Sequence, residues 1–129
     1  MPLEEKKSIP IMNSIHKKNK TIMIVAGEAS GDMHGANLVR EMLRIDPTLN
    51  FYGIGGKKMK EEKVQILADA SDMAVVGLTE VISKLGNIFK IMNMMKESLN
   101  ERQPDLVILI DYPDFNLPLA KAARKKGIK

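Results

Sequence analysis

Thr21-Ile22-Met23-Ile24-Val25-Ala26-Gly27-Glu28-Ala29-Ser30-Gly31-Asp32 decides the fold. Its first six residues are an apolar run rich in β-branched side chains, the pattern of a strand buried on both faces. Gly27 ends that run, and a short turn leads into a helical pattern. A strand, a tight turn and a helix open a doubly wound α/β sheet, in which ligands bind outside the carboxyl ends of the strands. Leu106 to Ile110, all aliphatic, reads as a second buried strand, and it ends in another turn, Asp111-Tyr112-Pro113-Asp114-Phe115-Asn116. The functional residues are expected between these two turns.

Outward from the first turn, Gly31 to about Ile45 reads as a helix. Met33, Leu38, Met42 and Ile45 form its apolar stripe, widened by Val39 and Leu43. Ser30 or Asp32 can cap its start, and Asp46-Pro47 stops it. Asn50 to Ile54 is a second strand. Gly53-Ile54-Gly55-Gly56 calls for unusual backbone angles or close backbone approach. Lys57 to Lys63 is a short charged helix, Val64 to Leu67 a third strand, and Ala68 to Met73 a loop. Gly77 to about Arg102 is a long helix that Gly86 can divide. Asn116 can cap a last helix, with Gly127 as its stop. Ile128-Lys129 then reads as the onset of another strand, so the chain is expected to be the front part of a larger α/β protein.

Composition narrows the chemistry. The 129 residues contain no Cys, which excludes disulfides, thiolate nucleophiles and cysteine-based zinc sites. Twenty basic residues against 16 acidic give a net charge of +4, mild enough to single out no partner. Residues 1–20 carry Lys6, Lys7, Lys17, Lys18 and Lys20 around a short apolar patch and read as a basic arm. No window is apolar and long enough for a transmembrane helix, so membrane contact would be peripheral. Basic residues near the end, Arg124-Lys125-Lys126, come without aromatic interleaving or a recognition motif; they read as a solvated helix end, and no nucleic acid is expected.

The turns carry the candidate chemistry. Gly27-Glu28-Ala29-Ser30-Gly31-Asp32 matches neither the dinucleotide fingerprint nor the Walker A loop. Its glycines could admit a ligand, and the helix start could receive an anion. Glu28 faces the ligand end of the sheet. Asp111 ends an aliphatic strand, so a partly dry base would push its carboxylate towards general-base work. Asp114 and Asn116 read as helix-capping residues. His16 and His34 are isolated and make no metal set, and no metal or cofactor is expected. Leu78, Val81, Ile82, Leu85, Ile88, Phe89 and Met92 form one helical stripe, with Ile91 and Met94 outside it. On pattern alone that stripe is a core helix.

Four blocks in order make the chain similar to a known family. They are Val25 to Asp32; Gly53 to Gly56 with Met59; Met73-Ala74-Val75-Val76-Gly77-Leu78-Thr79-Glu80-Val81; and Ile110 to Asn116. From about Lys20 to Lys129 they resemble the N-terminal part of the lipid-A-disaccharide synthases. The resemblance implies an α/β fold with a Rossmann-like parallel sheet flanked by helices, the N-terminal half of a two-domain GT-B glycosyltransferase. Residues 21–129 would be an incomplete acceptor-side domain, with the UDP-sugar-binding domain outside this chain. The implied reaction joins UDP-2,3-diacylglucosamine to 2,3-diacylglucosamine 1-phosphate with inversion, giving lipid A disaccharide 1-phosphate and UDP. It implies work at the cytoplasmic face of the inner membrane of a Gram-negative cell, as a peripheral protein.

By the same resemblance Asp111 matches the proposed general base and Glu28 an active-site glutamate. Gly27, Ser30, Gly31, Asp32, Gly55 and Asn116 are the expected substrate-binding positions. Val81, Ile82, Leu85, Ile88 and Phe89 match a patch for membrane or acyl-chain contact, which turns the stripe from core to lipid. Tyr112 stands where some relatives carry Ala, which argues against a part in the chemistry. This stretch alone is expected to be inactive. The reading from another class is a nucleotide- or anionic-lipid-binding module without catalysis; self-association through the Leu78 to Phe89 face is a third.

Overall fold

A computed structural model describes the backbone of residues 19–73 and 78–129, and the side chains of 19–73 and 85–129. The expected basic arm therefore lies outside the described residues, save Asn19 and Lys20, and so do the side chains of Val81 and Ile82.

Four strands make one parallel sheet: β1 (Thr21–Ala26), β2 (Asn50–Gly55), β3 (Gln65–Asp69) and β4 (Leu106–Ile110). The order is β3-β2-β1-β4, so the chain steps outward through β2 and β3 and then crosses back to the far side of β1. That reversal between β1 and β4 is the point at which doubly wound sheets bind ligands.

Alternation along β1 splits the core into two layers. Ile22, Ile24 and Ala26 pack with Ala36, Val39 and Met59 under helices α1 (Ala29–Ile45) and α2 (Lys57–Glu61). Met23 and Val25 face the other way, onto Met95 and Leu99 of α3 (Leu78–Arg102) and Phe115 and Leu119 of α4 (Pro113–Lys125). All six strand residues but Thr21 are buried, as a strand covered on both faces requires.

Several local expectations are corrected. In α1 the buried residues are Gly31, Asp32, Gly35, Ala36 and Val39. Met33 and Leu38 of the expected stripe are exposed, and Ile45 is 86% exposed. Small residues won the inner face because α1 lies close on the sheet and on α2: a Cβ on Gly31 would sit 3.2 Å from Ala26 Cβ, and one on Gly35 would sit 2.9 Å from Met59 Sδ. The third strand extends to Asp69, and a 3-10 turn, Ala70–Met73, takes the place of the expected loop. Helix α3 runs unbroken through Gly86, where a side chain would meet nothing within 4 Å.

Ile91, placed outside the α3 stripe, is one of its buried residues together with Met95, Ser98 and Leu99. That spacing of i, i+4 and i+7 or i+8 turns one face of α3 onto the sheet. Leu85 and Phe89 lie off that face, 44% and 66% exposed, while Ile88 is half-buried against the core.

Helix α4 begins at Pro113, three residues before the expected cap at Asn116. Pro suits a first helical position because its missing N–H has no helical partner there. At the other end Gly127, at φ +73°, stops the helix as expected. Its N–H donates to Arg124 O, and the Ile128 N–H donates to Ala123 O, a Schellman closure. Beyond it, the Lys129 carbonyl accepts a 2.7 Å bond from the Val107 N–H on the open edge of β4. As the edge strand of the sheet, β4 is only half-buried, contrary to the buried strand expected.

Candidate active site

The carboxyl ends of β1 and β4 open onto a cleft of about 960 Å³. The turn Gly27-Glu28-Ala29 forms one wall, and Asp111 to Asp114 forms the opposite one. Gly56 and the segment from Asp69 to Ser71 close a third side. Glu28, Asp69, Asp111 and Asp114 are all exposed here, and no Lys, Arg or His is among the described residues lining the cleft. Among the described residues no group of three or more His, Cys, Asp or Glu is arranged to hold a metal ion.

Asp111 takes its place through backbone strain. It and Tyr112 both sit at φ +51°, two successive non-glycine residues in the left-handed region. Such residues cost on the order of 1–3 kcal/mol each and persist where the surroundings enforce them, often at functional sites. The turn swings Asp111 out of the sheet, so its carboxylate is exposed, and the partly dry base expected from the sequence is not found. Below it, buried Asn116 holds the turn: its Nδ2 donates to the Asp111 carbonyl and, at 3.4 Å, to that of Ile110. Asn116 thus braces the turn and does not cap the helix; Tyr112 is the capping residue.

The first turn is built differently from its expectation too. Glu28, with extended backbone, is the N-cap of α1, and its side chain makes no capping bond. The Asp32 carboxylate reaches across to α2. It accepts the backbone N–H groups of Gly56 at 2.8 Å, Met59 at 3.0 Å and Lys58 at 3.1 Å. The start of α2, beside Gly55 and Gly56, is therefore already filled by an internal anion.

Of the expected site residues, catalytic Glu28 and Asp111 and substrate-binding Gly27 and Asp32 come together around the cleft. Gly31 packs on Ala26 and Ile110, and Gly55 packs on Met59, where a Cβ would lie 2.5 Å from the sulfur. Ser30 is exposed on the first turn of α1, and Asn116 is buried behind the wall. Leu85, Ile88 and Phe89 belong to α3 and not to the cleft. His34 is exposed.

Two features escaped the sequence reading. Asp69 accepts the Ser71 N–H at 2.9 Å; that bond, with further help from Ser71 and the charge of Lys60, holds its carboxyl below the usual range. An Asp two residues before a Ser was the available signal. The other is Tyr112, whose ring lies over Gly27, so close that a Cβ there would be 2.3 Å from Tyr112 Cδ2. Its hydroxyl donates to the Met73 carbonyl at 2.7 Å, and its ring meets Phe115 edge-on at 6.3 Å. No local pattern announces a partner 39 residues away.

The family model described as lipid-A-disaccharide synthetase matches residues 22–129. A lipid-A-disaccharide synthase of Syntrophus aciditrophicus (strain SB) is 60% identical over 110 residues, 85% of this chain and 29% of that protein. Those of Geobacter metallireducens and Geobacter sulfurreducens are 56% and 57% identical, over 86% and 84% of this chain and 29% and 28% of theirs. The chain spans less than a third of the length of these curated relatives.

Proposed function

Because this chain belongs to the lipid-A-disaccharide synthetase family, we propose that the whole protein is an inverting glycosyltransferase and that the cleft between β1 and β4 is the acceptor side of its site. The donor is UDP-2,3-diacylglucosamine and the acceptor 2,3-diacylglucosamine 1-phosphate. A second Rossmann-like domain, completing a GT-B architecture, holds the UDP.

The observation that carries this reading is Asp111, held in a left-handed turn at the carboxyl end of β4, opposite Glu28 at the end of β1. Asp111 takes the proton of the acceptor's 6-hydroxyl as that oxygen forms its bond to the anomeric carbon. The bond from that carbon to the UDP oxygen breaks on the opposite face, and UDP leaves with the electron pair. An exposed carboxylate can act as this base because the domain across the cleft excludes water when substrates are bound. Glu28 orients a sugar hydroxyl.

The charge of the cleft supports this division of labour. Four exposed carboxylates and no cation among the described lining residues suit hydroxyls as hydrogen-bond donors and repel phosphate. The acceptor therefore presents its hydroxyl edge to this wall, with its 1-phosphate turned away. The start of α2, filled by Asp32, offers no phosphate site either.

Exposed Leu85 and Phe89 on α3, with Lys90 beside them, support peripheral contact with acyl chains and an anionic membrane surface. No helix among the described residues is long and apolar enough to cross a membrane. We place the protein at the cytoplasmic face of the inner membrane on this reading.

The test is UDP release by the whole protein in detergent. Release is expected only when both lipid sugars are present, with one disaccharide formed per UDP. Binding of either lipid without release would favour a binding module.

A further inference from the structure

We propose that Tyr112 is the positioning residue of this site, its hydroxyl anchored on the Met73 carbonyl and its ring seated on Gly27, so that it sets Asp111 against Glu28. The inference rests on the proposed role of Asp111 as base.

Three separate pieces of chain meet at this one side chain. Gly27 belongs to the turn after β1, Met73 ends the 3-10 turn after β3, and Tyr112 itself follows Asp111 after β4. The ring lies over Gly27 so closely that no other residue could occupy position 27 without moving it. Phe115, buried in the core, backs the ring from its edge. The hydroxyl bond to Met73 spans 2.7 Å.

Left alone, the Asp111–Tyr112 turn would relax, because two left-handed non-glycine residues in succession are disfavoured. Asn116 restrains it from below through the Asp111 and Ile110 carbonyls. Tyr112 restrains it from the side, through the one side chain in the turn that reaches both other walls. Burial raises the phenol pKa, and the Asp114 and Glu28 carboxylates raise it further. The hydroxyl thus remains a donor throughout the neutral range, as its carbonyl partner requires.

Asp111 has no comparable restraint of its own on the cleft side: its carboxylate is exposed. Its aim at the acceptor hydroxyl depends on the backbone that carries it. A misplacement of about 1 Å in a reacting group can cost on the order of a hundredfold in rate. Removal of a single neutral restraint is expected to cost less, about tenfold, because Asn116 still holds the turn.

Tyr112→Phe isolates this role, since it deletes the hydroxyl and keeps the ring on Gly27. In the whole protein, kcat for disaccharide formation is expected to fall about tenfold. KM for both lipid sugars should stay within about twofold, and the thermal unfolding midpoint should change little. An unchanged kcat would overturn the proposal. So would a loss of activity that follows a lowered midpoint, which would make Tyr112 a structural residue only. Asp111→Asn assayed alongside separates the two readings. An active Asp111→Asn protein sinks the base assignment; an inactive one beside a fully active Tyr112→Phe sinks the positioning role alone.

Discussion

Gly53→Ala is expected to prevent the protein from folding. Gly53 lies inside β2, a central strand, paired with Ile24 of β1 and Ile66 of β3. Its φ of +154° is one that residues with a side chain rarely adopt, and a Cβ built there falls 1.8 Å from the Ile24 carbonyl oxygen. The obstacle is backbone, so no rotamer change relieves it. Between Gly53 and Ile54 the register with β3 shifts by one residue, and glycine absorbs that irregularity. A methyl group would push β1 and β2 apart and open the core on both faces. The expected cost exceeds about 4 kcal/mol, a large share of the roughly 5–15 kcal/mol that holds a typical domain. Soluble yield and thermal unfolding of the whole protein would show it. A variant melting within a few degrees of the wild type would contradict this account of the sheet.

Asp32→Ala comes next in size. One buried carboxylate, 7% exposed, accepts three backbone N–H groups and fixes the Gly55-Gly56 turn to α1. Hydrogen bonds to a charged group contribute about 1.5–3 kcal/mol each, and water can recover part of that where the turn opens. A net loss of about 3–5 kcal/mol is expected, read as a lowered unfolding midpoint. Asp32→Asn keeps the Oδ1 acceptor that serves Gly56 and Met59 but sets an amide against the Lys58 N–H. It should fall between the two. If Asp32→Ala unfolded with the wild type, the carboxylate would be free for substrate after all, and the assignment of Asp32 to structure would be withdrawn.

How far the sequence carried these conclusions depends on range. The strands Thr21 to Ala26 and Leu106 to Ile110 are both legible as unbroken aliphatic runs; burial on both faces accounts for the first, while the second is half-buried at the edge of the sheet. Their ends mark the cleft, which is why Glu28 and Asp111 could be named from the chain alone. Asp32 reads from its neighbours as a cap for its own helix, because its true partners, Gly56 to Met59, are 24 to 27 residues away. The inner face of α1 was misread for a related reason. Close packing selects Gly and Ala there, and these contribute little to an apolar pattern. Asn116 looked like a cap because Asn favours that position, yet Pro113 had already fixed the first turn of α4. Asp111 was expected to be partly dry; its left-handed backbone, which aliphatic periodicity cannot reveal, carries it into the open.

The reading as a whole rests on Asp111 acting as a base in sugar transfer. Its most direct test is the turnover of UDP-2,3-diacylglucosamine and 2,3-diacylglucosamine 1-phosphate by the whole protein carrying Asp111→Asn. That change preserves shape and removes the basic oxygen pair. Turnover is expected to fall about 10²–10⁴-fold, the usual contribution of a positioned general base, with the unfolding midpoint retained. Turnover within about threefold of the wild type, far outside that range, would remove Asp111 from the mechanism.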